Sequence, residues 1–331
     1  MRGGRPLAPW HFPRYTPGVK LTVTVITRNE AANIEGALES VRWADEIVVV
    51  DSHSVDETVR LAGRHAARIV THEWVGYSAQ RNYAAEIASY DWILALDADE
   101  RVPPALAGEI KRIMREGSVL GGYRMPRVSY YLGRWIRGTD WYPDYQLRLY
   151  DRRVGRFNGK RVHESVELQY GQPGTLEHDL QHFPYRDISD HVTSIDHYTT
   201  LAAEEWFAEG RRTNPLEAAV HPPAAFLRNY VFRRGFRDGT AGFLISILNS
   251  YYVFLKILKL WELQRGFRIP GAGEGPGASS ARRRPKFAKT PNVEGSQAET
   301  RPDPRSPGPD PPTTGAPNAA GTPTSALHHP Q

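Results

Sequence analysis

The sequence predicts an α/β fold with a mixed, mostly parallel sheet flanked by helices, followed by an amphipathic helical extension and a disordered tail. Short apolar runs alternate with segments of helical spacing over the first hundred residues. Strands that are apolar throughout are typical of a parallel sheet covered on both faces. With 331 residues and 40% hydrophobic content, the chain is long enough for one large domain or two small ones.

The elements of this sheet follow one another along the chain. The first strand is rich in β-branched residues, the second ends at Asp51, and Asp56 is placed to cap the helix that follows. Strands are predicted at residues 21–26, 46–50, 68–70, 92–96, 122–128, 146–150 and 161–168. Helices are predicted around residues 34–41, 59–62, 78–89, 106–113 and 226–261.

Composition divides the chain into four parts. Residues 269–331 are rich in Pro, Gly, Ser, Thr and Ala and have too few large apolar side chains to offset the entropy of ordering. Residues 1–20 are a shorter segment of the same kind, and both are predicted to be disordered. Between them we expect an α/β domain over residues 21–225 and a helical, membrane-associating region over residues 226–268.

Composition also limits the classes of function. The chain has no cysteine, which excludes disulfides, thiolate zinc sites and cysteine nucleophiles. The first twenty residues lack the apolar run of a signal peptide, so a cytosolic location is expected. A formal charge of +5 and a pI near 9.3 favour an anionic partner. No nucleic-acid-binding module is recognisable, so nucleic acid is not the expected partner.

The strongest chemical signal is the carboxylate cluster Asp97-Ala98-Asp99-Glu100, directly after an apolar strand. Two carboxylates so placed can converge on a hard divalent cation, which in turn binds the oxygens of a diphosphate. Polar residues also follow the first two strands, at 27–30 and 51–54. Ligands of parallel sheets bind at the carboxyl ends of the strands, where all three groups fall. A solvated acidic turn is the alternative for the cluster alone.

Four segments in order resemble the family 2 glycosyltransferases, which have the GT-A fold. They are VTVITRNEAANIEGALESV, VVVDSHSVDETVRLA, YSAQRNYAAEIASYDWILALDADE and WYPDYQLRLYDRRVGRFNGKRVHE. The later segment RGFRDGTAGFLISILNSYYVFLKILKLWE resembles the branch that builds lipopolysaccharide core. The resemblance covers roughly residues 21–262 and implies a nucleotide-sugar donor, a UDP-sugar above all, and Mg²⁺ or Mn²⁺ as cofactor.

The resemblance also implies roles for individual residues. Asp97 and Asp99 form the DxD signature and are the expected metal residues, with Asp99 the direct ligand and Asp97 closer to the ribose and to metal-bound water. The other residues expected to bind the nucleotide-sugar are Thr27, Asn29, Glu30, Asp51, Arg81 and Asn82. A helix-capping loop for Asp51 and a solvated helix face for Arg81 are the structural alternatives.

An inverting transfer needs a general base that takes the proton of the acceptor hydroxyl. Glu164, in the segment Arg-Val-His-Glu, is the first candidate, and Asp140 and Asp144 are the alternatives. His163 is a candidate for positioning the base, and His178 or His182 for a late metal ligand. Three aromatic residues are expected either to stack on sugar rings or to lie in the core: Trp135, Trp141 and Tyr142.

Residues 242–261 have many large apolar side chains and a narrow polar stripe, Ser246, Asn249, Lys256 and Lys259. The lysines and three preceding arginines disfavour insertion across a bilayer, so we expect a helix lying on an anionic membrane surface. A buried helix is the alternative. The expected activity is hexose transfer to a lipid-linked glycan such as lipopolysaccharide core, by an enzyme peripheral to the inner face of the cell membrane.

Three alternatives remain to this activity. A transfer to a polyprenyl phosphate would use the same donor chemistry, although the chain lacks the long spanning helices of some such enzymes. A non-catalytic nucleotide-sugar-binding scaffold would not need the intact Asp97 and Asp99 pair. A nucleotidyltransferase would have a glycine-rich basic loop after the first strand, where this chain has Thr-Arg-Asn-Glu.

Overall fold

The computed structural model of the protein describes residues 18–65, 68–118, 120–159 and 164–266. The strands are β1 (Leu21–Thr27), β2 (Glu46–Asp51), β3 (Arg68–Thr71), β4 (Trp92–Asp97), β5 (Glu100–Arg101), β6 (Gly122–Tyr131), β7 (Arg134–Ile136), β8 (Asp144–Asp151), β9 (Gly155–Phe157), β10 (Val166–Leu168), β11 (Gly174–Thr175) and β12 (Leu180–His182). The helices are α1 (Ile34–Ser40), α2 (Thr58–Ala62), α3 (Tyr77–Glu86), α4 (Pro104–Glu116), α5 (Ile188–Ala208), α6 (Pro215–Leu227) and α7 (Gly239–Arg265). The predicted disorder of residues 1–17 and 269–331 lies outside the described residues.

The main sheet is mixed, with a parallel half and a mainly antiparallel half. Its strand order is β3-β2-β1-β4-β8-β6-β12-β5, and β7 and β11 also pair with β6. The first four strands in this order are parallel, whereas β8 is antiparallel to both β4 and β6. The mixed, mostly parallel α/β class predicted from the sequence is therefore confirmed.

Strand register brings the ends of three parallel strands to one edge of the sheet. Thr27 at the end of β1 is paired with Asp51 at the end of β2. On its other side, β1 pairs Ile26 with Asp97 at the end of β4. Asp56 lies where β2 gives way to α2, and its carboxylate accepts a hydrogen bond from the backbone N–H of Thr58 at 3.1 Å. The predicted polar edge is therefore present.

Both faces of the parallel strands are buried, as their apolar sequences require. Val23 and Val25 of β1 pack in one cluster with Leu38 of α1 and Ile110 of α4. The alternate positions pack on the other face, where Ile26, Val48 and Val50 contact Ala84 of α3. Successive side chains of a strand point to opposite faces, so helices on both sides are needed to cover an apolar strand.

Two helices that the sequence analysis did not predict precede α7. The side chain of Asp187 caps α5 by accepting from the N–H of Asp190, and Asn214 caps α6 in the same way. Pro222 and Pro223 lie inside α6, where prolines ordinarily end a helix. Both α5 and α6 pack against α7, so the helical region begins before residue 226.

The polar residues Ser246, Lys256 and Lys259 of α7 have partners within the protein. Lys259 donates to the carboxylate of Asp196 at 2.7 Å, and Lys256 lies over the ring of Trp206 at 3.9 Å. The buried hydroxyl of Ser246 donates to the carbonyl of Gly242. The two lysine contacts hold α7 against α5, whereas the Ser246 bond satisfies a buried hydroxyl within α7. Both lysines therefore have partners within the protein.

The outward face of α7 is apolar. Its exposed large side chains recur at intervals of three or four residues and are Phe243, Ile247, Tyr251 and Phe254. Among the described residues one helical stretch, Gly235–Arg265, is long and apolar enough to cross a membrane by length and composition alone. About 28% of its most apolar window is buried inside the protein, so the stretch is not simply a core helix.

Candidate active site

The loops after β1 and β2 are joined by side-chain hydrogen bonds. The Asp51 carboxylate accepts from the backbone N–H of Ser54 at 2.9 Å and from its hydroxyl. Asn29 has a left-handed backbone with φ of 56°, and its side-chain oxygen accepts from the N–H of Val55 at 2.8 Å. The hydroxyl of Thr27 is buried at the same edge without a hydrogen-bond partner. Buried polar groups seldom lack a partner, so this hydroxyl is available to a ligand.

Glu30 and Asp99 are neighbouring carboxylates at this edge. Burial raises the pKa of Glu30 above its usual range, and the negative charges of Asp99 and Asp56 raise it further. The hydrogen bond donated by Asn33 acts in the opposite direction and lowers the pKa. A divalent cation beside Asp99 would relieve this repulsion. The loop after β1 therefore lies close to the second carboxylate of the DxD segment, as the sequence predicts.

Asp97, the first DxD carboxylate, is held between two buried arginines. One oxygen accepts from Arg81 of α3 at 2.7 Å, and the other accepts from Arg148 of β8 at 2.5 Å. Burial alone would raise the pKa of Asp97, but the guanidinium groups of Arg148 and Arg81 hold it well below its usual range. Asp97 is therefore ionised, and both of its oxygens are occupied by protein donors.

The same arginines extend the pair into a charged cluster, which consists of Arg81, Asp97, Glu100, Arg127, Asp144, Arg148 and Glu164. Arg81 also donates to Glu164 at 2.8 Å, and Arg148 also donates to the fully buried Glu100 at 2.9 Å. Arg127 joins Glu100 at 2.9 Å to Asp144 at 2.6 Å. A single chain of ion pairs thus links the predicted base Glu164 to the predicted DxD carboxylate.

Arg148 is expected to be the member of this cluster on which folding depends most. Replacing Arg148 by Met should destabilise the protein by roughly 3–5 kcal/mol, because Asp97 and Glu100 would each lose a buried partner. The measurement is urea unfolding followed by circular dichroism. The matched control is Arg156→Met, which breaks an exposed pair with Glu86 and should cost less than about 1 kcal/mol. Equal losses for the two variants would contradict a structural role for the cluster.

Asp99, the second DxD carboxylate, lies outside the charged cluster and beside a histidine. The Nε2 atom of His182 is 3.4 Å from an Asp99 oxygen, and its Nδ1 atom is 3.1 Å from the hydroxyl of Ser129. The backbone also joins the two segments, since the N–H of Phe183 donates to the Asp99 carbonyl. His178 is turned away from this pair and contacts Glu109 of α4 instead.

Asp99 and His182 provide two of the atom types that divalent metals take in proteins, a carboxylate oxygen and an imidazole nitrogen. In the described part of the chain, no group of three or more His, Asp or Glu side chains is placed to hold a metal ion. The pair therefore fits a cation whose remaining ligands come from a bound diphosphate and from water. From the sequence, Asp99 was the predicted metal ligand and His182 one of two candidate histidines, but their proximity was not predicted.

Two of the predicted site residues have structural partners instead. The side-chain amide of Asn82 donates to the carbonyl of Phe157 and accepts from its N–H, at 3.1 and 3.0 Å. Both amide atoms thus hold β9, which corrects the expectation that Asn82 faces the nucleotide. Asp140 pairs with Arg228 and Arg233 beyond the end of α6 rather than with the charged cluster, so the structure favours Glu164 and Asp144 over it as candidates for the base.

The aromatic residues considered for sugar stacking lie in packed clusters. Trp135 contacts Tyr130 edge-on, with ring centres 5.0 Å apart. Trp141 packs against Tyr131, and the hydroxyl of Tyr142 donates to Asp179. These contacts favour the structural alternative for all three. His163 lies outside the described residues.

Similar sequences identify the family of this chain. The model of Glycosyl transferase family 2 matches residues 22–163. The lipopolysaccharide core biosynthesis glycosyltransferase LpsC of Rhizobium meliloti (strain 1021) is 29% identical over 253 residues, which cover 74% of this chain and 93% of the relative. An uncharacterized glycosyltransferase of Rickettsia bellii (strain RML369-C) is 30% identical over 259 residues, covering 74% of this chain and 87% of the relative. The chain belongs to glycosyl transferase family 2.

Solved structures are similar at a greater distance. The mannosyltransferase PcManGT of Pyrobaculum calidifontis, determined in complex with GDP-Man and Mn²⁺, is 17% identical. The match covers 76% of this chain and 90% of that chain, with a TM-score of 0.45. The resemblance to the lipopolysaccharide-core branch of the family, stated from the sequence, is confirmed by LpsC.

Proposed function

We propose that the protein is an inverting hexosyltransferase that uses a nucleotide-sugar, with a UDP-sugar as the favoured donor, and Mg²⁺ or Mn²⁺. The acceptor is a lipid-linked glycan such as lipopolysaccharide core, by analogy with LpsC, a glycosyltransferase of lipopolysaccharide core biosynthesis. The observation that carries the proposal is the separation of the two DxD carboxylates. Asp97 is neutralised by Arg81 and Arg148, whereas Asp99 stands beside His182 and outside that cluster.

This separation supports different roles for the two residues. Asp99 and His182 would hold the metal, which would supply positive charge to the leaving diphosphate. Asp97 keeps Arg81 and Arg148 in place next to the donor site. Thr27, Asn29, Glu30 and Asp51 form the wall of the nucleotide pocket, and the unpartnered Thr27 hydroxyl is available to the nucleotide.

Glu164 is the proposed base. It lies on the wall of a cavity of about 490 Å³, which is also lined by Arg148, Tyr145, Gln146 and Gln172. An acceptor sugar in this cavity would place a hydroxyl beside the Glu164 carboxylate. The hydroxyl attacks the anomeric carbon from the face opposite the diphosphate, and Glu164 takes its proton. Arg81 holds Glu164 at 2.8 Å, which fixes the carboxylate in position. Asp144 remains the second candidate and is paired with Arg127.

A lipid-linked acceptor fits a protein bound at an anionic membrane surface. We place the enzyme on the cytoplasmic, inner face of the cell membrane, where nucleotide-sugars are available. The basic pI and the exposed apolar face of α7 support this location.

The test of the proposed function is calorimetric titration with a panel of UDP-, GDP-, ADP- and TDP-sugars, with Mn²⁺ and with a chelator. One nucleotide-sugar should bind at micromolar to millimolar concentration with metal and much more weakly without it. Failure of every nucleotide-sugar to bind in the presence of Mn²⁺ or Mg²⁺ would overturn the proposal and favour the non-catalytic alternative.

A further inference from the structure

The connection between α6 and α7 exposes apolar and basic side chains together. This corner comprises residues 227–237 and includes a π-helical turn, Arg228–Phe232. Phe232 is 78% exposed, and Phe236 is 52% exposed. Its other exposed members are Leu227, Val231, Arg228, Arg233, Arg234 and Arg237. We call residues 227–237 the arginine–phenylalanine corner. Large exposed apolar patches on a protein surface mark sites of interaction.

The corner is continuous with the apolar face of α7. The ring of Tyr230 lies 6.4 Å from the ring of Phe236 and 5.6 Å from that of Phe243. Phe243 begins the row of exposed side chains that continues through Ile247 to Phe254. The arginines thus adjoin one end of a single apolar surface rather than scattered aromatic residues.

The charge of this region identifies its partner. The carboxylates of residues 211–266 are Glu217, Asp238 and Glu262. Glu217 accepts bonds at the start of α6 and Asp238 is buried, so neither offsets the corner arginines. Asp140 pairs with Arg228 and Arg233, so the charge that the corner offers a partner is that of Arg234 and Arg237. A second copy of the chain would bring arginines against arginines, which is unfavourable. Apolar side chains beside arginines match a lipid surface with anionic headgroups.

The corner is rigidly attached to the α/β domain. The buried Asp238 carboxylate accepts from the N–H groups of Arg137 and Gly138, at 3.2 and 2.7 Å. A Cβ atom on Gly242 would lie 1.9 Å from the carbonyl oxygen of Gly235. The backbone of α7 is therefore in direct contact with the backbone of the corner. The N–H of Asp140 donates to Asn229 at 2.7 Å.

This attachment joins the corner to the active site over a short stretch of chain. Residues 137–140 are followed directly by β8, which begins at Asp144 in the charged cluster. Movement of the corner would therefore move the strand that carries Arg148. A partner surface bound at the corner would therefore have a fixed position relative to the cavity beside Glu164.

We propose that the arginine–phenylalanine corner seats the enzyme on an anionic phospholipid surface. Phe232, Phe236 and the exposed face of α7 enter the headgroup boundary, and Arg234 and Arg237 bind lipid phosphates. The inference rests on the proposed function for its purpose, which is to present the active site to a lipid-linked acceptor. It narrows the expectation drawn from the sequence, in which the lysines of α7 and the arginines before it were considered together, because Lys256 and Lys259 have partners in α5.

The experiment is flotation of the full chain with vesicles of phosphatidylcholine alone or mixed with phosphatidylglycerol. Wild type should bind only the anionic vesicles, and less at high salt. The double variant Arg234→Gln/Arg237→Gln should lose roughly 25-fold in affinity, at about fivefold per arginine, and Phe232→Ser should lose a similar factor.

The matched control changes the same residue types at the other end of the helical region. The variant Phe207→Ser/Arg211→Gln/Arg212→Gln should bind anionic vesicles within about twofold of wild type. Unchanged vesicle binding by both corner variants would overturn the proposal. Conversion of a dimer to a monomer by Phe232→Ser, without loss of vesicle binding, would instead assign the surface to a second copy. Nucleotide-sugar binding is measured in parallel and should be unchanged in the corner variants. A failure of the membrane-binding proposal can therefore be distinguished from a failure of the proposed donor site.

Discussion

Replacing Asp99 by Asn is expected to lower metal-dependent release of nucleoside diphosphate from the donor by on the order of a thousandfold. The change preserves shape but removes the charge that would hold the cation beside the diphosphate. Folding should be nearly unchanged, because Asp99 lies outside the ion pairs that join Asp97 to Arg81 and Arg148. The measurement is diphosphate release at increasing Mn²⁺, together with thermal unfolding.

Two histidines provide the matched comparison for this prediction. His182→Gln should raise the Mn²⁺ concentration needed for half-maximal activity, since His182 lies 3.4 Å from Asp99. His178→Gln should leave that concentration unchanged, since His178 contacts Glu109 instead. Equal effects of the two substitutions would contradict the proposal that His182 is a metal ligand. Full activity of Asp99→Asn would contradict the proposal that a catalytic metal binds at Asp99.

Replacing Glu164 by Gln is expected to lower sugar transfer by roughly 10²- to 10⁴-fold, the usual contribution of a general base. Donor binding should be retained, because the metal residues Asp99 and His182 are untouched. The measurement is transfer of labelled sugar to purified lipopolysaccharide core, with calorimetric titration of the donor on the same preparation.

Asp140→Asn and Asp144→Asn are the controls for the identity of the base. Asp140 pairs with Arg228 and Arg233 at the corner, so its loss should not affect the rate of transfer by more than a few-fold. A loss confined to Asp144→Asn, with Glu164→Gln fully active, would assign the proton transfer to Asp144.

The parallel half of the fold could be predicted because its signals are local. Leu21–Thr27, Glu46–Asp51 and Trp92–Asp97 consist mainly of apolar and β-branched residues, and each ends in a polar residue. A parallel sheet brings such ends to one edge, which is why the nucleotide-binding and DxD segments could be placed together. The helix α6 could not be predicted in this way, because Pro222 and Pro223 inside it are tolerated only through its packing.

The partners of the charged residues depend on contacts between distant segments. Asp97 and Arg148 are 51 positions apart, and Arg81 and Glu164 are 83 apart, so neither pair follows from spacing. The one local signal was an arginine between Leu147 and Leu149 in a strand, where burial requires a carboxylate partner. The direction of the α7 lysines depended in the same way on α5, a helix that the sequence analysis did not predict.

The most direct test of the central claim is pulsed electron paramagnetic resonance of Mn²⁺ bound to the protein with the preferred nucleoside diphosphate. The proposed site predicts a ³¹P coupling from the diphosphate and a ¹⁴N coupling from imidazole, with the ¹⁴N coupling lost in His182→Gln. Both couplings should disappear in Asp99→Asn, which releases the ion. Protein-bound Mn²⁺ without ³¹P coupling, or with the same spectrum in Asp99→Asn, would contradict a metal–diphosphate site at the end of β4.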